Sequence, residues 1–334
     1  YFDEDSAKCL FDDESYWVRE KKADATRNIS GRALNYIKDK LPNLIGGSAD
    51  LGPSNKTVMH GAGEFSELTS EGRNLHFGVR EIGMTAIANG ILLHGGLRTF
   101  TATFFVFADY MKPMLRLSSL MQIPQICVLS HDSIGVGEDG PTHEPVEQLT
   151  MLRSLPNMHV FRPADEIETK AAWYSALTVK RTPTCLVLSR QGLPVLEGSS
   201  KDALKGGYIL KKETKDLPDT VILASGSEVS AVLDAAQIIE KEGIAVRVVS
   251  MPCMDIFAEQ DAAYQESVLP KKVSKRVVVE AGSSMSWGKY IGPDGCYITI
   301  DDFGASAPAG QLFEKYGFTA EKIACRVKEY VHCD

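Results

Sequence analysis

The sequence has no CxxC pair, no excess of basic charge, no internal repeat and no apolar run long enough to cross a bilayer. Each absence closes off a class of protein. Seven cysteines are scattered over 334 residues, with Cys127 and Cys185 inside apolar runs. That usage argues against a zinc site or a disulfide framework and fits reduced thiols in a cytoplasmic protein. A net charge of −8 argues against nucleic acid as the main partner. Without about 20 consecutive apolar residues there is no candidate membrane span, and no basic-then-apolar leader opens the chain. What remains, 44% apolar and 24% charged residues, is an ordinary globular composition with room for two domains.

From Thr26 onward, strand-like and helix-like segments alternate. Short buried strands are expected at residues 44–45, 74–77, 126–130, 159–161 and 183–188. Periodic helical stretches lie between them at 79–93, 104–120, 145–154 and 167–180. Such alternation implies an α/β fold of mainly parallel sheets flanked by helices. Residues 197–219 turn polar and rich in Lys and Gly, which reads as a linker. A second βαβ unit follows, with strand 221–224, the turn SGSE at 225–228, helix 229–241 and strand 246–250. Residues 277–280 and 297–300 repeat its strand pattern loosely. With one glycine and an acid, the SGSE turn reads as structural rather than as an effector site. The expected division is a linker over 1–24, a domain over 25–196, a linker over 197–219 and a smaller domain over 220–334. The chain opens on Tyr1 with an unpatterned stretch, acidic then basic, as a linker from an upstream domain would.

Residues 131–145, HDSIGVGEDGPTHEP, follow the strand at 126–130 and hold two histidines and four carboxylates. GVGEDG matches a dinucleotide fingerprint, but its glycines begin five residues past the strand. Pro-Thr-His follows where a helix would start, and Glu138 and Asp139 would face a pyrophosphate. The fingerprint reading fails on all three counts. His131, Asp139 and His143 are conceivable metal ligands, although their spacing is not diagnostic. A solvated surface loop is the plain alternative. Open α/β sheets, however, bind ligands beyond the carboxyl ends of their strands, where this loop sits. Imidazole donors with a carboxylate acceptor suit a polyhydroxylated substrate.

A second constellation begins at Glu81, after which no Asp, Glu, Lys or Arg appears until Arg98. A helix that apolar is expected to be buried all round, with Glu81 at its head. One reading makes Glu81 a first-turn acid favoured by the helix dipole and paired with Arg80. The other makes it a proton donor or acceptor tuned by burial. Phe104, Phe107 and Tyr110, three apart, would share one helix face, as core or as a slot for a flat heterocycle.

Together these stretches resemble one family. GGSADLGPSNKT (46–57), HFGVREIGMTAIANG (76–90), SHDSIGVGEDGPTHEP (130–145), FRPAD (161–165) and LSRQGLP (188–194) are similar to transketolase, as are GSEV, RVVSMP, VEAG and FGASAP further on. The resemblance covers nearly all of the chain from Thr26. It implies a thiamine-diphosphate-binding fold for the pyrimidine domain, then a smaller C-terminal domain. It also implies transfer of a two-carbon ketol unit from a ketose phosphate to an aldose phosphate, a step of the pentose phosphate pathway. By the same resemblance, Glu81 bonds the aminopyrimidine of thiamine diphosphate and promotes formation of its ylid, the cofactor supplying the chemistry. Phe104, Phe107 and Tyr110 match the aromatic pocket around the pyrimidine. Arg27, Ser54, His131 and Arg190 match the group that holds the sugar phosphate, a physically sensible clamp. Asp139 matches the acceptor of the C2 hydroxyl. His143 matches a catalytic residue near the cofactor amino group, and Asp50 an aspartate of the site near the subunit interface.

In this family the diphosphate and its Mg²⁺ or Ca²⁺ are bound by a separate domain carrying a GDG motif and a later asparagine. The sequence has no GDG and no asparagine after Asn157. No metal ligands are therefore expected in this chain, and weak cofactor binding is expected of it alone, as for a fragment or a split subunit. A homodimer, or a heteromer with a diphosphate-binding subunit, is the expected assembly. Two alternatives compete. A decarboxylating relative would not need Arg27, Ser54 and Arg190 together. A catalytically silent dimerisation module would not need Glu81, His131 and His143.

Overall fold

The computed structural model describes residues 7–333. Six parallel strands form the first sheet: β1 Leu44–Ser48, β2 Asn74–His76, β3 Arg98–Phe104, β4 Ile126–Ser130, β5 His159–Phe161 and β6 Thr184–Leu188. Their spatial order is β2-β1-β3-β4-β6-β5. The second sheet, β11-β10-β8-β9-β7, is built from β7 Tyr208–Lys211, β8 Thr220–Ala224, β9 Val246–Ser250, β10 Arg276–Val279 and β11 Cys296–Ile298. It is parallel except for β7, which runs antiparallel to β9. Parallel strands covered on both faces read as unbroken apolar runs, and β4, β6, β8 and β9 are buried at every position.

Helices Thr26–Lys40 and Glu166–Thr178 cover one face of the first sheet. Trp173 there is fully buried among Leu34, Ile37 and Phe100, and its indole N–H reaches Ser30 Oγ at 2.8 Å. On the other face Met84, Met111 and Leu115 pack over Leu129 and Val187. The edge of that sheet is close-packed. A Cβ on Gly47 would lie 1.9 Å from the Leu75 carbonyl oxygen of β2, so that position admits no side chain.

Four expectations are revised. Residues 104–120 are not one helix: Phe104 ends β3, Phe105–Phe107 form a 3-10 turn, and the helix is Ala108–Leu120. The alternating Thr and Phe of RTFTATF are strand formers, and pairing with both β1 and β4 places β3 inside the sheet. The helix at Glu81 runs to His94 but is not buried all round. Ile82, Ile87 and Leu93 are 51%, 52% and 62% exposed, because its other face alone meets the sheet. Val79, Tyr110 and Leu120 are exposed as well. Residues 197–219 are not featureless, since Lys201–Lys205 form a 3-10 turn and β7 joins the second sheet as its edge. The stretch before Thr26 is also docked. Leu10 and Tyr16 are buried, and the Tyr16 hydroxyl donates to the Lys170 carbonyl at 2.8 Å. No helix of the described residues is long and apolar enough to cross a membrane.

Candidate active site

The site forms where β1, β3, β4 and β6 end. His131 follows directly on β4 with φ of +67°, a left-handed backbone uncommon outside glycine. Its ring stacks on Phe104 from the end of β3, with centroids 3.6 Å apart. Ser130 Oγ donates to Asn55 Oδ1 at 2.7 Å, so it accepts from His131 Nδ1, also 2.7 Å away. The proton therefore sits on Nδ1, and the Nε2 lone pair faces Arg27 Nη1 at 3.4 Å. Burial pushes the His131 imidazole down to about 3, and Arg27, Arg190 and His143 add to the effect, so it is neutral at pH 7. Asn55 is held in turn by Ser48 Oγ at 3.2 Å. Asn55, Ser48 and Ser130 are parts of the site that sequence reading did not single out.

Arg27 lies in the first turn of the Thr26–Lys40 helix and donates from Nη1 to the Ser54 carbonyl at 2.9 Å. Burial, then repulsion by Arg190 just beyond β6, lowers its pKa. Its Nε is buried with no hydrogen-bond partner. Two guanidiniums that repel one another beside His131, one of them with an unpartnered Nε–H, describe a place for a doubly charged anion. Gln191 lies beside them. Its amide covers Gly135 so closely that a Cβ there would meet Oε1 at 2.3 Å, and neither polar atom of that amide has a partner. Nothing in its sequence setting marked Gln191 beyond its place after Arg190.

The aromatic ladder survives the change of backbone. Phe104 and Phe107 lie parallel within 5° at 6.2 Å, and Phe107 and Tyr110 follow at 6.1 Å. His143 meets the edge of Phe107 at 5.7 Å and bonds Thr142 Oγ1 at 2.9 Å. Glu81 is 8% exposed at the head of its helix. Its Oε1 accepts a long bond of 3.5 Å from Thr103 Oγ1, next to Phe104. Arg80 does not pair with it, turning instead to the Phe77 carbonyl at 3.1 Å. Glu81 is thus a covered carboxylate with spare acceptor capacity at the base of the ring ladder.

Asp50, at φ +62°, and Asp139 are exposed at the rim, and Ser54 is half-buried. His131, Asp139 and His143 do not converge as metal ligands, and among the described residues no group of three His, Cys, Asp or Glu does. The second domain closes over the loop from one side, where Ser306 Oγ donates to the Glu138 carbonyl at 2.5 Å.

Residues 22–195 match the family model "Transketolase, pyrimidine binding domain", and residues 206–319 match "Transketolase-like TK C-terminal domain". A transketolase from Halalkalibacterium halodurans is 53% identical over 311 residues, covering 92% of this chain and 46% of that protein. A chloroplastic transketolase from Solanum tuberosum is 49% identical over 316 residues, covering 94% of this chain and 43% of its own length. Among solved structures, transketolase from Leishmania mexicana superimposes with a TM-score of 0.91 at 43% identity, over 95% of this chain and 47% of that one. A split-gene transketolase, described as an inactive β4 tetramer, gives 0.73 at 26% identity, over 92% of this chain and 98% of the other. The chain spans about half the length of the curated relatives it matches. With the pyrimidine-binding model alone covering more than half of its residues, the chain belongs to the transketolase family.

Proposed function

We propose that this chain supplies the pyrimidine-binding and C-terminal parts of a transketolase. Its reaction is transfer of a two-carbon ketol unit from a ketose phosphate to an aldose phosphate in the pentose phosphate pathway. The observation that carries the reading is the Arg27, Arg190 and His131 cluster, with its unpartnered Arg27 Nε, beside the ring ladder and Glu81. Thiamine diphosphate, when bound, supplies the nucleophilic carbon that breaks and forms the carbon–carbon bonds. The residues present fit its aminopyrimidine. Phe104, Phe107 and Tyr110 offer aromatic faces, and Glu81 offers a covered carboxyl to a ring nitrogen.

Each remaining residue has a role in this reading. Arg27 and Arg190 bind the substrate phosphate, with Ser54 beside them. His131, neutral and proton-bearing at Nδ1, offers Nε2 to a protonated phosphate oxygen or a sugar hydroxyl. Asp139 accepts from a substrate hydroxyl, and His143 moves a proton next to Phe107. Asp50 borders the cofactor pocket. The diphosphate and its Mg²⁺ or Ca²⁺ are assigned to a diphosphate-binding domain, in the same polypeptide or a partner subunit. The apolar surface of Val79, Ile82, Ile87 and Leu93 is assigned to a dimer contact. Residues 25–196 and 220–334 are proposed as the two domains, and the seven free thiols suit the cytoplasm.

The test is a ketol-transfer assay on the enzyme assembled with thiamine diphosphate and Mg²⁺. Glu81→Ala is expected to lose transfer by at least about 100-fold, and Arg27→Ala to raise the KM for phosphorylated donors. Full transfer by Glu81→Ala would refute the assignment.

A further inference from the structure

Arg162, in FRPAD, takes no part in the site described above, yet it is wholly buried where the two domains meet. Its Nε and Nη2 both reach Asp132 Oδ2, at 3.0 and 2.9 Å. From the second domain, Ser225 offers its carbonyl to Nη1 at 3.0 Å, Ser227 Oγ accepts from Nη2 at 3.1 Å, and Glu228 pairs closely with Nη1. The SGSE turn thus wraps the guanidinium. Gly226, at φ +58°, passes so near that a Cβ would meet Arg162 Nε at 2.8 Å. Glu280 lies 3.9 Å from Nη1 and is gripped by Arg153 through bonds of 2.7 and 2.9 Å. Burial would raise the Glu280 carboxyl, but Arg153, Arg162 and Ser225 together outweigh it and hold the pKa down at about 2.

Asp132 is the residue after His131. A non-glycine residue in a left-handed backbone costs about 1–3 kcal/mol and persists where its surroundings hold it. On one side Ser130 and Phe104 hold His131; on the other, Arg162 grips Asp132. Ser133 continues the link, donating to Asp132 Oδ1 at 3.3 Å and accepting from the Gly135 amide at 3.3 Å. Ion pairs so deeply covered contribute little net stability against an apolar replacement, and a role in fixing one geometry accounts better for such a cluster.

The geometry points to Arg162 as a positioning residue: through Asp132 it makes the second domain a brace that fixes His131 within the substrate-phosphate site. The inference rests on the phosphate reading of Arg27, His131 and Arg190. The second domain here has a task in substrate selection that it performs through Arg162 and Asp132 of the first.

The experiment compares a phosphorylated ketose donor with the same ketose lacking the phosphate, in the enzyme assembled with thiamine diphosphate. Asp132→Asn keeps the shape but weakens the grip of Arg162, and Arg162→Lys removes the forked geometry. For Asp132→Asn, kcat/KM on the phosphorylated donor is expected to fall about tenfold, mostly through KM, with under about threefold change on the other donor. Arg162→Lys is expected to act in the same direction; if it fails to fold, Asp132→Asn still decides. A parallel loss on both donors would make Arg162 a purely structural residue and overturn the inference. No preference for the phosphorylated donor in the unaltered enzyme would instead refute the phosphate reading, and the inference with it.

Discussion

Glu144, next to His143, gives the sharpest test of how the second domain seats on the site loop. Its carboxyl is 2% exposed and lies against Gly304, where a Cβ would come within 1.7 Å of Oε2. Burial pushes its pKa from 4.5 up to about 7, and Asp139 adds to the rise. The backbone N–H groups of Ala305 and Gly137 oppose it, yet neither oxygen completes a hydrogen bond. A carboxyl raised in the folded state favours folding in its protonated form. Stability tied to it is therefore intact below pH 4.5 and lost as pH climbs through 7. Taken in full, that rise is worth about 3.4 kcal/mol. Glu144 lies among exposed neighbours, Glu138, Asp139 and Phe303, so water screens part of the penalty, which leaves about 1–2 kcal/mol. Glu144→Gln, neutral at every pH, is expected to raise the melting temperature at pH 8 by roughly 2–6 °C and to change it little at pH 5. Thermal unfolding of both proteins at the two pH values measures this. An equal shift at both, or a loss at pH 8, would refute the reasoning.

Two further predictions concern the frame. Gly47→Ala drives a methyl into the Leu75 carbonyl, which cannot move without breaking β1 from β2; a loss of about 3 kcal/mol or more in urea unfolding is expected. Tyr16→Phe removes the buried bond to Lys170 and is expected to cost about 1–2 kcal/mol, with proteolysis before residue 24 quickening if that segment is docked as described.

Much of the site was legible because its signals are local. The strand at 126–130 ends where its apolar run ends, and β4 covers those residues. Glu81 stands alone at the head of an uncharged stretch, and it is buried. The spacing of Phe104, Phe107 and Tyr110 places their rings together, although the backbone that does so is strand, 3-10 turn and helix rather than one helix. Stacking at 6 Å tolerates either path, so a correct grouping came from an incorrect element.

The amino-acid sequence by itself determined the α/β class, the family motifs and the types of residue gathered at the strand ends, because each depends on composition, period and spacing within a few dozen residues. Tertiary structure alone decided the rest. The placement of β3 between β1 and β4 depends on partners far along the chain. The exposed face of the Glu81–His94 helix depends on what no other element covers. The tautomer of His131 follows from Asn55, 75 residues before Ser130, and the grip on Asp132 follows from a turn that begins 63 residues after Arg162. Hydrogen-bond direction and burial belong to pairs of residues in space, and no local pattern records which pairs will meet.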